Sequence, residues 1–401
     1  MRIFIETIVK MVCPVFLAAC VSLAKLDMAD QPGVRDSLSI LAGCTLASGI
    51  LSLLPLILPN RFLDKLLKGF SVVFVYLCGL LLMVLAYLTL VLISKRYVSL
   101  WIALVIIAGF TLYWGIVTFV TLLNGQARGA TVFGKYLDEL ENSVDFSASI
   151  TFLLFLGLGG LVLGGQYSTV QLNLPEGDKD MLLLFFHTIW LSFFICIAGV
   201  FFMLACIVPP VSRDETELIV WWCHNIQGFD CFFGCALASI VVLITIGTLR
   251  NWAVLAFGGV LSLLPYIVWL FRICDSEAGD VALDGGAEEE DVMPASLDLT
   301  KVTFTGFVAI SVYTISENSP VSIHEYSSWF IFFTAIAVTN GLGWRLLTHQ
   351  KKPSSASFTA ANVASFGAHL YIVVAAIPFA CMAFDALRKI TTIAPSPTPC
   401  S

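Results

Sequence analysis

Three polar side chains stand inside apolar stretches of the C-terminal third of the chain. Asn362 and His369 are seven residues apart and therefore share one helix face, and Asn340 precedes Gly341 and Gly343. Polar groups at membrane depth are costly to insert and often functional. We predict a polar cavity lined by Asn340, Asn362 and His369. The alternative is that these side chains only hold helices together through hydrogen bonds.

A second group of reactive side chains follows two adjacent tryptophans and comprises Cys223, His224, Cys231 and Cys235. Thiolates and imidazoles are the usual ligands of zinc. Cys231 and Cys235, four residues apart, share a helix face. The spacing of the four matches no closed zinc motif, and paired tryptophans are typical of a membrane interface. We therefore assign no metal ligand and no cofactor.

Histidines near apolar stretches could transfer a proton or an acyl group, and His187 and His324 are of this kind. The sequence has no His-Glu-x-x-His, no Gly-x-Ser-x-Gly and no phosphate-binding loop. No catalytic residue is assigned. A membrane-bound enzyme that uses His187, His324 or His369 is the third of three functional hypotheses.

The elements that must position these residues are long apolar stretches. Hydrophobic residues make up 58% of the chain and charged residues 12%, whereas soluble domains contain about 45–50% and about 25%. About 20 apolar residues in a helix cross the hydrocarbon of a bilayer. The sequence therefore predicts an all-α, polytopic transmembrane helix bundle embedded in a lipid bilayer.

We predict about eleven spans, within a range of ten to twelve. The stretches are Ile3–Ala24, Ser37–Leu58, Gly69–Ile93, Val98–Leu123, Ala148–Val170, Met181–Val208, Gly228–Leu249, Trp252–Ile273, Val302–Ile315, Ser327–Leu347 and Phe358–Phe384. The first contains Glu6 and Lys10, so an interfacial helix or a cleaved signal peptide are alternatives there. The ninth is short unless Leu297 and Leu299 extend it. We expect Arg345, near the end of the tenth, to snorkel to the interface.

Two parts of the chain resemble each other in the same order. The matching segments are Ser143–Ser147 with Ser296–Thr300, Trp190–Phe194 with Trp329–Phe333, and Phe233-Gly234 with Phe366-Gly367. This predicts an internal repeat with units at residues 98–249 and 250–390, the fourth to seventh and eighth to eleventh spans. An offset of four spans makes the repeat parallel. Chance similarity between apolar helices is the alternative.

The fifth predicted span is rich in glycine, and Gly157, Gly160 and Gly164 predict close packing between helices. Unwinding of this span around a substrate is the alternative. Its first part, Ser149–Gly160, resembles multi-pass membrane proteins of grasses and other plants that have no established activity. The resemblance implies a plant source and transfers no functional residue.

Charge is concentrated in the loops. Residues 275–298 contain nine acidic residues and neither Lys nor Arg, which predicts a disordered acidic loop on the cytosolic side. With eleven spans, basic residues are more numerous on the N-terminal side of the membrane. The positive-inside rule then puts the N-terminus in the cytosol. This excess nearly vanishes if the first stretch does not span. The sequence does not show whether the protein lies in the plasma membrane or in an endomembrane.

A small-solute transporter or membrane-embedded binding protein is the leading functional hypothesis, because repeated units in a polytopic bundle commonly create a solute site. The second hypothesis is a non-catalytic membrane scaffold that recruits a cytosolic protein partner through the acidic loop. No basic stripe of the kind that binds nucleic acid is present. The sequence does not determine the oligomeric state.

Overall fold

All regular secondary structure that the structure describes is helical. The computed structural model of the chain describes residues 32–53, 64–93, 95–124, 143–152, 154–155, 179–205, 213–249, 252–278, 297–316, 321–348 and 355–393. The first predicted span, Ile3–Ala24, lies outside these residues. So do Gly157, Gly160 and Gly164 of the fifth predicted span.

The helices are numbered in chain order. They are α1 (Pro32–Ser52), α2 (Asp64–Ile93), α3 (Trp101–Asn124), α4 (residues 143–152), α5 (Lys179–Ala205), α6 (Arg213–Leu249), α7 (Trp252–Ala278), α8 (Leu297–Ser316), α9 (Val321–Thr348) and α10 (Ser355–Ile393). A 3-10 helix, Lys95–Leu100, leads from α2 into α3.

Many hydroxyl side chains within these apolar helices donate to a carbonyl of their own helix. Thr45 donates to the Leu41 carbonyl at 2.7 Å, Thr89 to that of Leu85 at 2.8 Å, and Thr334 to that of Phe330 at 2.7 Å. These bonds run from the hydroxyl of residue i to the carbonyl of residue i−4. They satisfy the hydroxyl, so that it needs no partner from another helix. Threonine therefore does not interrupt the apolar surface that lipid or a neighbouring helix requires.

Six of the described helices are long and apolar enough to cross a membrane. The segments are Gly69–Val91, Tyr97–Val120, Phe186–Leu204, Cys231–Leu249, Glu325–Thr348 and Ala356–Asp385. Each falls on a predicted span. Shorter apolar segments lie in α1, α7 and α8. The chain is therefore a helical membrane protein, as its composition predicts.

The described helices form two compact units. The first contains α1 to α4, α5 from Phe186 onward, and α6 up to Leu237. The second contains α5 up to Phe185, α6 from Ala238 onward, and α7 to α10. The predicted repeat units, residues 98–249 and 250–390, stay a prediction.

Tyr76 of α2 ties together three helices of the first unit. Its hydroxyl donates to the Leu204 carbonyl at 2.9 Å and lies 3.4 Å from the Thr118 hydroxyl. Leu204 is one residue from the end of α5, where carbonyls have no intrahelical partner. Tyr76 thus completes the backbone hydrogen bonding of α5 and links it to α2 and α3.

Helix α9 is the centre of the second unit. It is the most buried of the six candidate spans, and it packs against α7, α8 and α10. Helix α10 carries the buried alanines Ala360, Ala361, Ala364 and Ala368, and the first two pack against Leu347 of α9. Small side chains let two backbones approach closely, so α9 and α10 form a tight antiparallel pair.

Three features at the helix ends differ from, or extend, the sequence analysis. Helix α8 begins at Leu297, so the ninth predicted span gains the extension that its two leucines allow. The acidic stretch is helical at both ends, through Ala278 of α7 and from Leu297 of α8. Arg345 is buried at 5% exposure instead of snorkelling. The start of α10 packs against the end of α9 there.

Candidate functional site

A polar segment of α9 faces three neighbouring helices. We call the residues Thr339, Asn340, Gly341, Gly343 and Arg345 the α9 polar belt. At this level α9 meets α7, α8 and α10 through polar side chains that stand against glycines. A glycine leaves room for a hydroxyl or amide tip where any other residue would place a carbon atom.

On the side of α10, Asn340 stands against a glycine. Asn340 is 2% exposed, and its Nδ2 donates to the Ile336 carbonyl at 2.8 Å. Its Oδ1 would be 3.0 Å from a Cβ atom added at Gly367. The amide therefore fits into the α9–α10 interface because position 367 has no side chain.

On the side of α7, two hydroxyl groups reach the α9 polar belt. The Thr339 hydroxyl is hydrogen-bonded to Ser262 Oγ at 2.9 Å. The Tyr266 hydroxyl lies 3.2 Å from the position that a Cβ atom at Gly343 would occupy. On the side of α8, Thr300 lies so close to Gly341 that an added Cβ would overlap with the Thr300 hydroxyl.

The only charged side chain of the α9 polar belt is Arg345, in the last turn of α9. It lies within the candidate span Glu325–Thr348 and is buried. The C-terminal end of a helix dipole favours a cation by about 0.3–1 kcal/mol. Inserting an arginine at the centre of a span costs more, about 2.5–3.5 kcal/mol. Arg345 is in the last turn of α9, so this full cost does not apply to it, and it makes an interaction within the structure.

Two buried polar atoms at the same level of the α9–α10 pair have no hydrogen-bond partner among the described residues. They are Asn362 Oδ1 and Trp344 Nε1. Trp344 packs against the cluster of Leu347, Ala360 and Ala361, and Asn362 directly follows Ala361. Buried polar atoms are nearly always hydrogen-bonded in folded proteins. Each of these two atoms would be stabilised by a further hydrogen-bonding group.

The three predicted cavity residues occupy different surroundings. Asn340 is enclosed between α9 and α10, and Asn362 is half-buried. His369 is exposed, and its Nδ1 lies 2.7 Å from the Ser365 carbonyl of its own helix. Asn340 therefore meets Gly367, whereas His369 is on the other side of α10. A cavity lined by all three stays a prediction.

The other candidate residues are less fully placed. Cys231 and Cys235 are exposed, with their sulfur atoms 4.0 Å apart, and His187 is exposed on α5. The side chains of Cys223, His224 and His324 lie outside the described part of the chain. Within the described part, no group of three or more His, Cys, Asp or Glu residues is arranged to hold a metal ion.

Sequence reasoning missed Tyr266, Thr300 and the burial of Arg345. The glycines at positions 341 and 343 were a signal, since both stand beside Asn340 in an apolar stretch. They do not reveal which side chains fill the space above them. That depends on which helices are neighbours, and a uniformly apolar helix surface does not encode its neighbour.

Comparison of the chain with known protein families, with curated proteins and with solved structures gives no match in any of the three. The assignment to the helical membrane proteins therefore rests on the chain's own apolar helices. The resemblance of Ser149–Gly160 to plant membrane proteins stays a prediction.

Proposed function

We propose that this protein binds a small polar solute beside the α9 polar belt and acts as a transporter or as a membrane-embedded binding protein. The observation that carries the proposal is the pair of orphaned atoms, Trp344 Nε1 and Asn362 Oδ1, at the level of the buried Arg345. Polar groups that lack a partner at membrane depth are costly and often mark a functional site.

The chemistry of the two atoms indicates the kind of solute. Trp344 Nε1 is a donor and Asn362 Oδ1 is an acceptor. Leaving each of them unsatisfied costs about 1–3 kcal/mol. A solute with both an acceptor and a donor, such as a hydroxyl or amide group, would satisfy both. Leu347, Ala360 and Ala361 pack against Trp344 and would supply apolar walls of the kind that are typical of small-molecule sites.

The predicted repeat supports a transporter architecture. In the repeat alignment Ser147 corresponds to Thr300. Ser147 and Thr151 of α4 stand against Gly199 of α5, and Thr300 of α8 stands against Gly341 of α9. Gly341 lies one helical turn beyond the aligned position of Gly199. Under the proposed repeat, each unit has a hydroxyl-on-glycine contact between equivalent helices, displaced by one helical turn.

The pairs α5–α6 and α9–α10 offer a second comparison under the same alignment. The Phe202 and Phe233 rings of α5 and α6 are 5.8 Å apart, and the alignment puts these residues on Gly341 and Phe366. The contact of Asn340 with Gly367 joins the immediate neighbours of those two positions. The Phe202 ring is closer still to that of Phe229, at 5.0 Å and one helical turn earlier in α6, so the two helix pairs agree in register to within about one turn. This approximate agreement supports the proposed repeat.

We also propose eleven spans, with the N-terminus in the cytosol of a cell whose plasma membrane or endomembrane holds the protein. Helices α1, α7 and α8 have 21, 27 and 20 residues. Each therefore reaches the length of about 20 residues that a bilayer requires. These helices, the six candidate spans and the two predicted stretches outside them give the count.

Conservative substitutions test the solute site. A thermal-shift screen of small polar solutes on the purified protein finds the ligand, because a ligand that binds the folded state raises its stability. Trp344→Phe removes only the N–H, and Asn362→Leu removes the acceptor at similar volume. We expect each to weaken binding about 5- to 10-fold, the value of one hydrogen bond. Uptake into proteoliposomes then distinguishes transport from binding.

Trp329→Phe is the matched control, because Trp329 belongs to the same helix and is exposed. It should leave the affinity unchanged. The proposal fails if no polar solute stabilises the wild-type protein, or if the control weakens binding as much as Trp344→Phe does.

A further inference from the structure

Two thiols on α6 lie side by side at the beginning of an apolar segment. Cys231 and Cys235 are one helical turn apart, and their sulfur atoms are separated by 4.0 Å. Both side chains are exposed on the surface of the first unit. Cys231 is also the first residue of the candidate span Cys231–Leu249. The pair therefore lies in the first two turns of the candidate span.

Aromatic packing holds the turn that carries these thiols. Phe233, between the two cysteines, is buried and its ring is 5.8 Å from that of Phe202 on α5. Its neighbour Phe232 meets Phe194 of α5 edge-on at 6.5 Å. Both contacts fix the rotation of α6 about its axis. The direction in which the two cysteines face is thus set by the core.

We propose that Cys231 and Cys235 form a two-thiolate site for a soft monovalent cation of the copper(I) class. Soft thiolate ligands select such ions. Two metal–sulfur bonds of about 2.3 Å span about 3.8 Å at a tetrahedral angle and about 4.6 Å when linear. The separation of 4.0 Å lies between these limits. The linear arrangement that a two-coordinate copper(I) ion favours needs about 0.6 Å more, which a small rotation of either side chain supplies without movement of the backbone.

Binding of the ion to the two sulfurs requires no oxidant and no reductant. Each thiol releases one proton as its sulfur becomes a metal-bound thiolate, and the ion keeps its oxidation state. A disulfide would require the sulfurs to approach to about 2.05 Å, a shift of about 2 Å from their present positions. A closed zinc site requires four ligands. Among the described residues no such group surrounds these cysteines.

Copper(I) titration of the full-length protein in detergent, under anaerobic and reducing conditions, tests the site against a copper(I)-selective chelator. The other cysteines create a background, so the readout is the difference between variants. Cys231→Ser and Cys235→Ser should each remove the same one tight equivalent, and the double variant should remove no more. Cys44→Ser and Cys381→Ser are the matched controls, at an exposed and a half-buried cysteine elsewhere, and should remove none.

Alkylation of the wild-type protein gives an answer that does not depend on a variant. Copper(I) should protect both thiols from N-ethylmaleimide, as read by peptide mass spectrometry. The proposal is overturned if both thiols react equally with and without the ion, or if either serine variant keeps the full stoichiometry. It is also overturned if a mild oxidant converts the pair to a disulfide in the presence of copper(I).

Discussion

The close contact at Gly341 depends on the absence of one carbon atom. A Cβ at this position would overlap with the hydroxyl of Thr300, and the Thr300 methyl would be 3.0 Å away. The first atom of the Thr300 side chain is attached to the backbone of α8, so it cannot rotate away. The side chain of an alanine at position 341 would therefore push α8 and α9 apart.

We predict that Gly341→Ala lowers the free energy of unfolding by about 1–3 kcal/mol, the usual range for overpacking. Thermal unfolding in detergent measures it. Gly259→Ala in α7 is the control, since a Cβ there would meet nothing within 4 Å. That change should be neutral or stabilising by up to about 1 kcal/mol.

A double substitution at Thr300 and Gly341 tests the same contact in a second way. Thr300→Ala removes the hydroxyl and the methyl that the new Cβ would meet. In the Gly341→Ala background it should restore part of the lost stability. Residues in contact show such coupling, whereas distant residues add. Strict additivity of the two changes would contradict a direct contact.

At the scale of elements, the end of α5 depends on a side chain from another helix. The Leu204 carbonyl is one of the last in α5 and accepts the Tyr76 hydroxyl. An isolated helix would leave this carbonyl to water, but here it is in a bundle of apolar helices. The hydrogen bond thus replaces solvation that the membrane interior does not provide.

Tyr76→Phe should lower the free energy of unfolding by about 1–3 kcal/mol, because a buried carbonyl loses its only side-chain donor among the described residues. The melting temperature in detergent reports it. Tyr113→Phe removes the same hydroxyl from an exposed tyrosine of α3. Equal destabilisation by the two variants would show that the hydrogen bond is not the cause.

For the whole molecule, the number of spans decides where the two termini lie. Eleven spans place the N-terminus and the C-terminus on opposite sides of the membrane. We expect a tag at the N-terminus to be reached from the cytosol and a tag at the C-terminus from the other side. Protease protection in sealed vesicles measures both. Termini on the same side would mean ten or twelve spans and would remove the basis of the orientation.

The sequence alone determined the class of the protein, because long apolar stretches leave helices as the simplest way to satisfy the backbone in lipid. It also located all six candidate spans and pointed to Asn340 with its two neighbouring glycines. It predicted an interfacial position for Arg345, whereas the side chain is buried. Burial depends on which neighbouring helix covers the side chain.

Only the tertiary structure decided which helices are neighbours. The contacts of Thr300 with Gly341, Tyr266 with Gly343 and Asn340 with Gly367 join residues far apart in the chain. Helices that are apolar on every side show no preferred face in their sequence. Packing of small residues against polar tips selects the partners, and this selection requires the positions of all the helices at once.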